Sequence, residues 1–151
     1  MASDNLPPVQ SATVLVVDDN KDAVDIIARL LSHHGITVVR AYSGVECLDI
    51  VRTRSIDVIV LDVMMPGMDG LEVCRQLKQM PLIPPIILLT ARDDMATRSA
   101  GMSLGVSEFI VKPVNNRDLL ARIKTQLSTL QWEREIDKAS ATIDPSREDN
   151  S

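Results

Sequence analysis

Five short apolar runs, at residues 13–17, 36–40, 57–61, 86–90 and 107–111, alternate strictly with five segments of helical period. The segments cover 20–34, 43–54, 69–79, 93–104 and 115–137. Strict strand–helix alternation predicts parallel strands, because each strand must return through a helical crossover, with helices packed on both faces of the sheet. The stretches 58–61 and 86–89 are continuously apolar, as central strands buried on both faces should be. A doubly wound, five-stranded α/β domain is therefore expected. Aromatic residues make up only 2% of the chain, so its core must be built from Val, Ile, Leu, Met and Ala. Turn chemistry marks the boundaries: Gly35 and Gly105 fall where helices should stop, and Pro66-Gly67 makes the turn after the third strand. Asp69 is placed to cap the third helix, and Asn115, with Asp118 three residues on, to cap the last.

A chain of 151 residues suits one domain, placed at 12–131, between an N-terminal tail (1–11) and a C-terminal extension (132–151). Sixteen basic against twenty-one acidic residues give a net charge of −5, which argues against non-specific nucleic-acid binding. No stretch approaches the roughly 20 apolar residues of a membrane span, and residues 1–12 lack the apolar core of a secretory signal. Cys47 and Cys74 lie in predicted helices without metal-ligand spacing and are read as reduced packing residues of a cytoplasmic protein. Leu120, Ile123, Leu127 and Leu130 form a seam that continues to Trp132 and Ile136 but breaks at Arg134 and Asp137. That is too little for a long coiled coil. A short extension that docks on the domain, pairs two copies or begins a linker fits it, and disorder is expected from about Ser140.

The chemistry-bearing residues stand at strand ends. Asp62 closes the third apolar run, Asp18-Asp19 follow the first, Thr90 ends the fourth, and Lys112-Pro113 follow the fifth. In an open parallel sheet such ends meet in one crevice. At about 4 Å and an effective dielectric near 20, each pair of carboxylates repels by roughly 4 kcal/mol, so the cluster calls for shared protons, raised pKa values or a cation. A hard divalent ion with oxygen preference, Mg²⁺, fits best, and the lack of cysteine and histidine speaks against zinc. With the cluster neutralised, an Asp62 oxygen can attack phosphorus, while Lys112 and Thr90 face the charge on the equatorial oxygens. The product is a labile aspartyl phosphate, suited to signalling.

These residues resemble a known family. Asp18-Asp19-Asn20, Asp62 with Met65-Pro66-Gly67-Met68-Asp69-Gly70, Thr90-Ala91 and Lys112-Pro113 are similar, in order, to the signature of the receiver domain of two-component response regulators, over about residues 12–130. The resemblance implies a flavodoxin-like sheet of order 2-1-3-4-5 and a cis Lys112-Pro113 peptide. It makes Asp62 the phosphoacceptor. Asp19 would bind Mg²⁺ directly, Asp18 largely through water, and Met64 through its backbone carbonyl. Thr90 and Lys112 would contact the phosphoryl group, Thr90 and Phe109 would act as the switch, and Met64 and Arg92 would tune phosphate lifetime. Phosphate would come from a histidine kinase or phosphotransfer protein. The state would pass to an effector protein through the fourth helix, fifth strand and fifth helix, with a phosphorylation-dependent homodimer as a further outcome. Phe109, lacking the hydroxyl of the tyrosine also common there, would switch by packing alone.

Each residue has an ordinary reading when taken alone. Asp18-Asp19 would cap the first helix, Asp62 would make an Asx turn, Thr90 would satisfy backbone, and Lys112-Pro113 would be a solvated turn. His33 and His34 suit a helix C-terminus, where a positive imidazole complements the dipole. The coincidence of the pocket residues at four strand ends favours the phosphoacceptor. No output domain fits after residue 131, so output through another protein is expected; a receiver portion of a longer regulator is the close variant. A phosphohydrolase of the haloacid dehalogenase type is the rival from another class. It requires a second aspartate two residues after the nucleophile, where this chain has Met64. A phosphorylation-independent interaction module is the third reading. The fourth helix, with Thr97, Ser99, Gly101 and Ser103, is predicted to be the least stable, Gly101 alone costing about 1 kcal/mol relative to alanine.

Overall fold

The structure, a computed structural model, describes residues 12–91 and 95–129. The elements run β1 (Thr13–Val17), α1 (Lys21–His33), β2 (Thr37–Ala41), α2 (Gly44–Thr53), β3 (Val58–Asp62), α3 (Gly70–Leu77), β4 (Ile86–Thr90), α4 (Met95–Ser103) and β5 (Glu108–Val111). A final helix, α5, occupies residues 116–129. All strands pair in parallel, as the strand–helix alternation predicts, in the order β2-β1-β3-β4-β5 that the resemblance implies.

Every residue of β3 and β4 is buried, because both faces of the sheet are covered. Alternate side chains serve two cores. Leu15, Val17, Ile59, Leu61, Ile86 and Leu88 meet Cys47 and Leu48 of α2 and Val73, Cys74 and Leu77 of α3. Val14, Val16, Val58, Val60, Ile87 and Leu89 meet Val24, Ile27 and Leu31 of α1 and Leu119, Ile123 and Leu127 of α5. Both cysteines are free and buried, and burial pushes each thiol up to about 12.

Within the described residues the boundaries agree with the expected ones to within a few residues; the expected helix start at 93 and helix end at 137 lie outside them. β3 begins at Val58 and not at Asp57, whose N–H donates to Thr13 O and whose carboxylate accepts the Thr13 N–H, each at 2.8 Å. Asp69 caps α3 by accepting from Glu72 N–H at 2.9 Å, and Asn115 accepts from Asp118 N–H at 3.0 Å. Gly35 and Gly105, past the ends of α1 and α4, have φ of 80° and 82°, the left-handed region that glycine enters without a Cβ penalty. The Lys112-Pro113 peptide is cis. His33 and His34 sit at the C-terminal end of α1. Among the described residues no helix is long and apolar enough to cross a membrane. The N-terminal tail, Arg92, and the extension with Leu130, Trp132 and Ile136 lie outside the described residues.

Candidate functional site

The first corner of the site is the turn from β1 into α1. Asp18 N–H still donates to Ala41 O of β2, at 3.2 Å, so Asp18 is held in line with the sheet and is buried, while Asp19 is exposed. Asn20 N–H donates to Asp18 Oδ1 at 3.0 Å. The Asn20 side chain in turn caps α1, accepting from the N–H groups of Asp22 and Ala23. Helix capping is thus done by Asn20, and the ordinary reading of the Asp18-Asp19 pair as a cap does not hold. The acids face the crevice instead.

Asp62 is the last residue of β3, paired opposite Leu89, and only 2% exposed. One carboxylate oxygen each from Asp18, Asp19 and Asp62 lie within 4.8 Å of one another. Into this group comes Lys112, from the turn after β5, with Nζ 2.7 Å from Asp62 Oδ1 and 3.6 Å from Asp18 Oδ2. At 2.7 Å the Lys112 ammonium pairs directly with the buried Asp62 Oδ1. Burial pushes the Asp62 carboxyl above the usual carboxylate range; Lys112 draws it back, and Asp18 and then Asp19 push it further. Burial works against the Lys112 charge, yet the pairing with Asp62 and Asp18 outweighs it and holds the ammonium above its ordinary value.

Two more elements close the site. Thr90, buried at the end of β4, is the strand neighbour of Val111, and its carbonyl accepts the Lys112 N–H at 2.8 Å. That bond places the start of the Lys112 turn beside β4. On the other side, the loop after Asp62 folds back: Val63 N–H donates to Leu89 O at 2.9 Å, and Gly70 N–H to Val63 O at 2.9 Å. A Cβ at Gly70 would lie 2.5 Å from the Asp62 carbonyl oxygen and 2.9 Å from Val63 Cα. In the sequence Gly70 is the last residue of the Met65–Gly70 motif. Its physical task, letting the start of α3 press on the backbone that carries Asp62, is legible only once the loop is folded. The Met64 side chain in this loop is 67% exposed. Phe109 stands away from the carboxylates, opposite Leu88 on β5.

Asp18, Asp19, Asp62 and Lys112 are therefore brought together, with Thr90 at the adjoining strand end and Met64 in the loop that follows Asp62. The donor set suits a hard divalent cation: three carboxylates converge, and among the described residues the group contains no histidine or cysteine. Beside Lys112 lies a cavity of about 240 Å³, lined by Asp18, Ile26, Ile27, Leu89, Pro113 and Val114 among others. Ile26 at its rim is 56% exposed.

A family model described as the response regulator receiver domain matches residues 14–124. The response regulator MprA of Mycobacterium avium is 41% identical over 130 residues, covering 86% of this chain and 57% of that protein. MprA of Mycobacterium bovis is 44% identical over 117 residues, covering 78% and 51%. The chain thus spans about half the length of the curated relatives it matches. Among solved structures, the chemotaxis protein CheY4 of Vibrio cholerae is 32% identical with a TM-score of 0.70, covering 77% of this chain and 98% of that one. The BeF3-activated receiver domain of DrrB is 33% identical with a TM-score of 0.69, covering 77% and 97%.

Proposed function

Since this chain belongs to the response regulator receiver family of two-component signalling, we propose that it accepts a phosphoryl group on Asp62 and relays that state through the surface formed by α4, β5 and α5. The observation that carries the reading is the meeting of Asp18, Asp19, Asp62 and Lys112 at one rim of the sheet. Asp18 and Asp19, with Asp62 and the Met64 carbonyl, would hold Mg²⁺. When bound, the ion supplies positive charge that offsets the carboxylates and the incoming phosphoryl oxygens.

The chain's own residues do the rest. An Asp62 carboxylate oxygen forms the new O–P bond as the donor's P–N bond breaks, and the electron pair returns to the donor imidazole. Lys112, already beside Asp62, transfers its charge to a phosphoryl oxygen, and the Thr90 hydroxyl donates to another. Drawn toward the phosphate, Thr90 vacates space on the sheet face it shares with Phe109, which pairs with Leu88, two residues back along β4. Phe109 then repacks, and the α4–β5–α5 surface changes. Met64 and Arg92 would set the lifetime of the phosphate.

The donor would be a sensor histidine kinase or phosphotransfer protein, and the apolar cavity bordered by Ile26 gives such a partner a surface beside the acid cluster. The recipient would be a cytoplasmic effector protein or a second phosphorylated copy. A second reading is favoured by the length of the MprA relatives: in a longer regulator the same surface would act on an attached domain. The match to the receiver family leaves the phosphohydrolase reading without support.

The test is intact-mass analysis after incubation with Mg²⁺ and a small acyl phosphate. Wild type should gain one phosphoryl group; Asp62→Ala should gain none, and omission of Mg²⁺ should suppress the gain. Equal labelling of both proteins would move the acceptor away from Asp62. Size exclusion of the labelled protein reports whether phosphate changes assembly.

A further inference from the structure

Phe109 is the one phenylalanine in the chain, and α4 packs over it. Its ring lies with the Arg98 guanidinium 5.7 Å from its centroid. At the edge of the ring lies Gly101, the one residue of α4 that is buried. A Cβ built on Gly101 would run into Phe109 Cζ, lie 2.8 Å from Cε1, and touch Leu88 Cδ2 at 3.5 Å. Gly101 is not among the residues with positive φ, and glycine inside a helix is unfavourable. Backbone conformation therefore gives no reason for a glycine here; the ring does. Phe109 also borders an open groove of about 480 Å³, lined by Met95, Arg98, Ser99, Met102 and Ser103 of α4. The ring is seated against a bare Cα, with room beside it to leave.

We infer that Gly101 is a positioning residue of the switch: its missing side chain is the seat that holds the Phe109 ring, and it sets the balance between the seated ring and one turned into the groove. The inference rests on the reading of Phe109 as the switch residue. Adding a methyl group at Gly101 would disfavour the seated ring, and any ligand that discriminates between ring positions must then bind with altered affinity.

Beryllofluoride with Mg²⁺ serves as the probe. Incorporation of 2-fluorophenylalanine gives a single fluorine resonance, with the substituent away from Cζ. In wild type the resonance should shift on saturation with the probe. Gly101→Ala should displace it in the absence of probe and change the probe's affinity by about threefold or more, the sign reporting which ring position the activated domain uses. In a Phe109→Ala background Gly101→Ala should leave the affinity unchanged and raise the urea midpoint, whereas in wild type it should lower that midpoint. A raised midpoint in wild type together with unchanged affinity overturns the seat. If Phe109→Ala alters the affinity and Gly101→Ala does not, the seat fails while the switch stands. If Phe109→Ala itself alters nothing, the switch reading falls and takes the seat with it.

Discussion

The turn from β1 into α1 and the helix α4 beside β5 are built in opposite ways. α1 has a side-chain cap at Asn20 and buries Val24, Ile27, Ala28 and Leu31 against the sheet. α4 buries Gly101 alone, and it carries no acid in its first turn and no base in its last. Two of its methionines, Met95 and Met102, are 78% and 67% exposed. The difference teaches how such a domain divides labour. Carboxylates that must converge within a few ångströms need an immovable corner, whereas a surface that must report a charge event needs two arrangements of similar energy.

The strongest way to break this contrast is to remove anchoring from each side. Leu31→Ala, in α1, should cost about 3 kcal/mol in urea denaturation, while Met102→Ala in α4 should stay within about 0.5 kcal/mol. Comparable losses would erase the asymmetry. A second test concerns the carboxylates that this corner helps to gather. The folded-state pKa of Asp62 is raised, so its ionised form costs stability near neutral pH, and that cost fades as pH falls through the raised value. Asp62→Asn should therefore stabilise the metal-free protein at pH 7, with the gap closing on acidification. Mg²⁺ should stabilise wild type and not the variant. A less stable Asn variant at pH 7 would show that Lys112 more than compensates for the crowded carboxylates. Third, amide hydrogen exchange in α4 should be at least about tenfold faster than in the buried turns of α1; equal protection would contradict the comparison. The smallest effect is expected at the cap, where Asn20→Ala should cost about 1 kcal/mol. A larger loss, with weaker Mg²⁺ binding, would show that the Asn20–Asp18 contact also holds the carboxylate in place.

Much of this was legible before folding because two strong patterns coincide. Continuous apolar runs such as Val58–Leu61 and Ile86–Leu89 suit only strands covered on both faces, and acids, a hydroxyl and a lysine at their ends suit only the rim. What escaped the sequence depends on distances between segments. Asn20, not Asp18 or Asp19, caps α1, because Asp18 is still tied to the sheet by its N–H. Gly70 is needed for the approach of α3 to Asp62, which no local pattern encodes. Gly101 reads locally as a flaw in a weak helix; against the Phe109 ring it is the space that the ring occupies. Propensity counts what a residue costs its own helix and is blind to what it gives a neighbouring strand.

The parallel sheet has one more consequence. Because β1, β3, β4 and β5 all point the same way, each must be reached through a crossover, and the groups that would handle phosphate come from four widely separated stretches of chain. No fragment or half-assembled intermediate can gather them. Uptake of one phosphoryl group per molecule would then serve as a census of completed chains, counting in a crude mixture only those molecules that have finished folding.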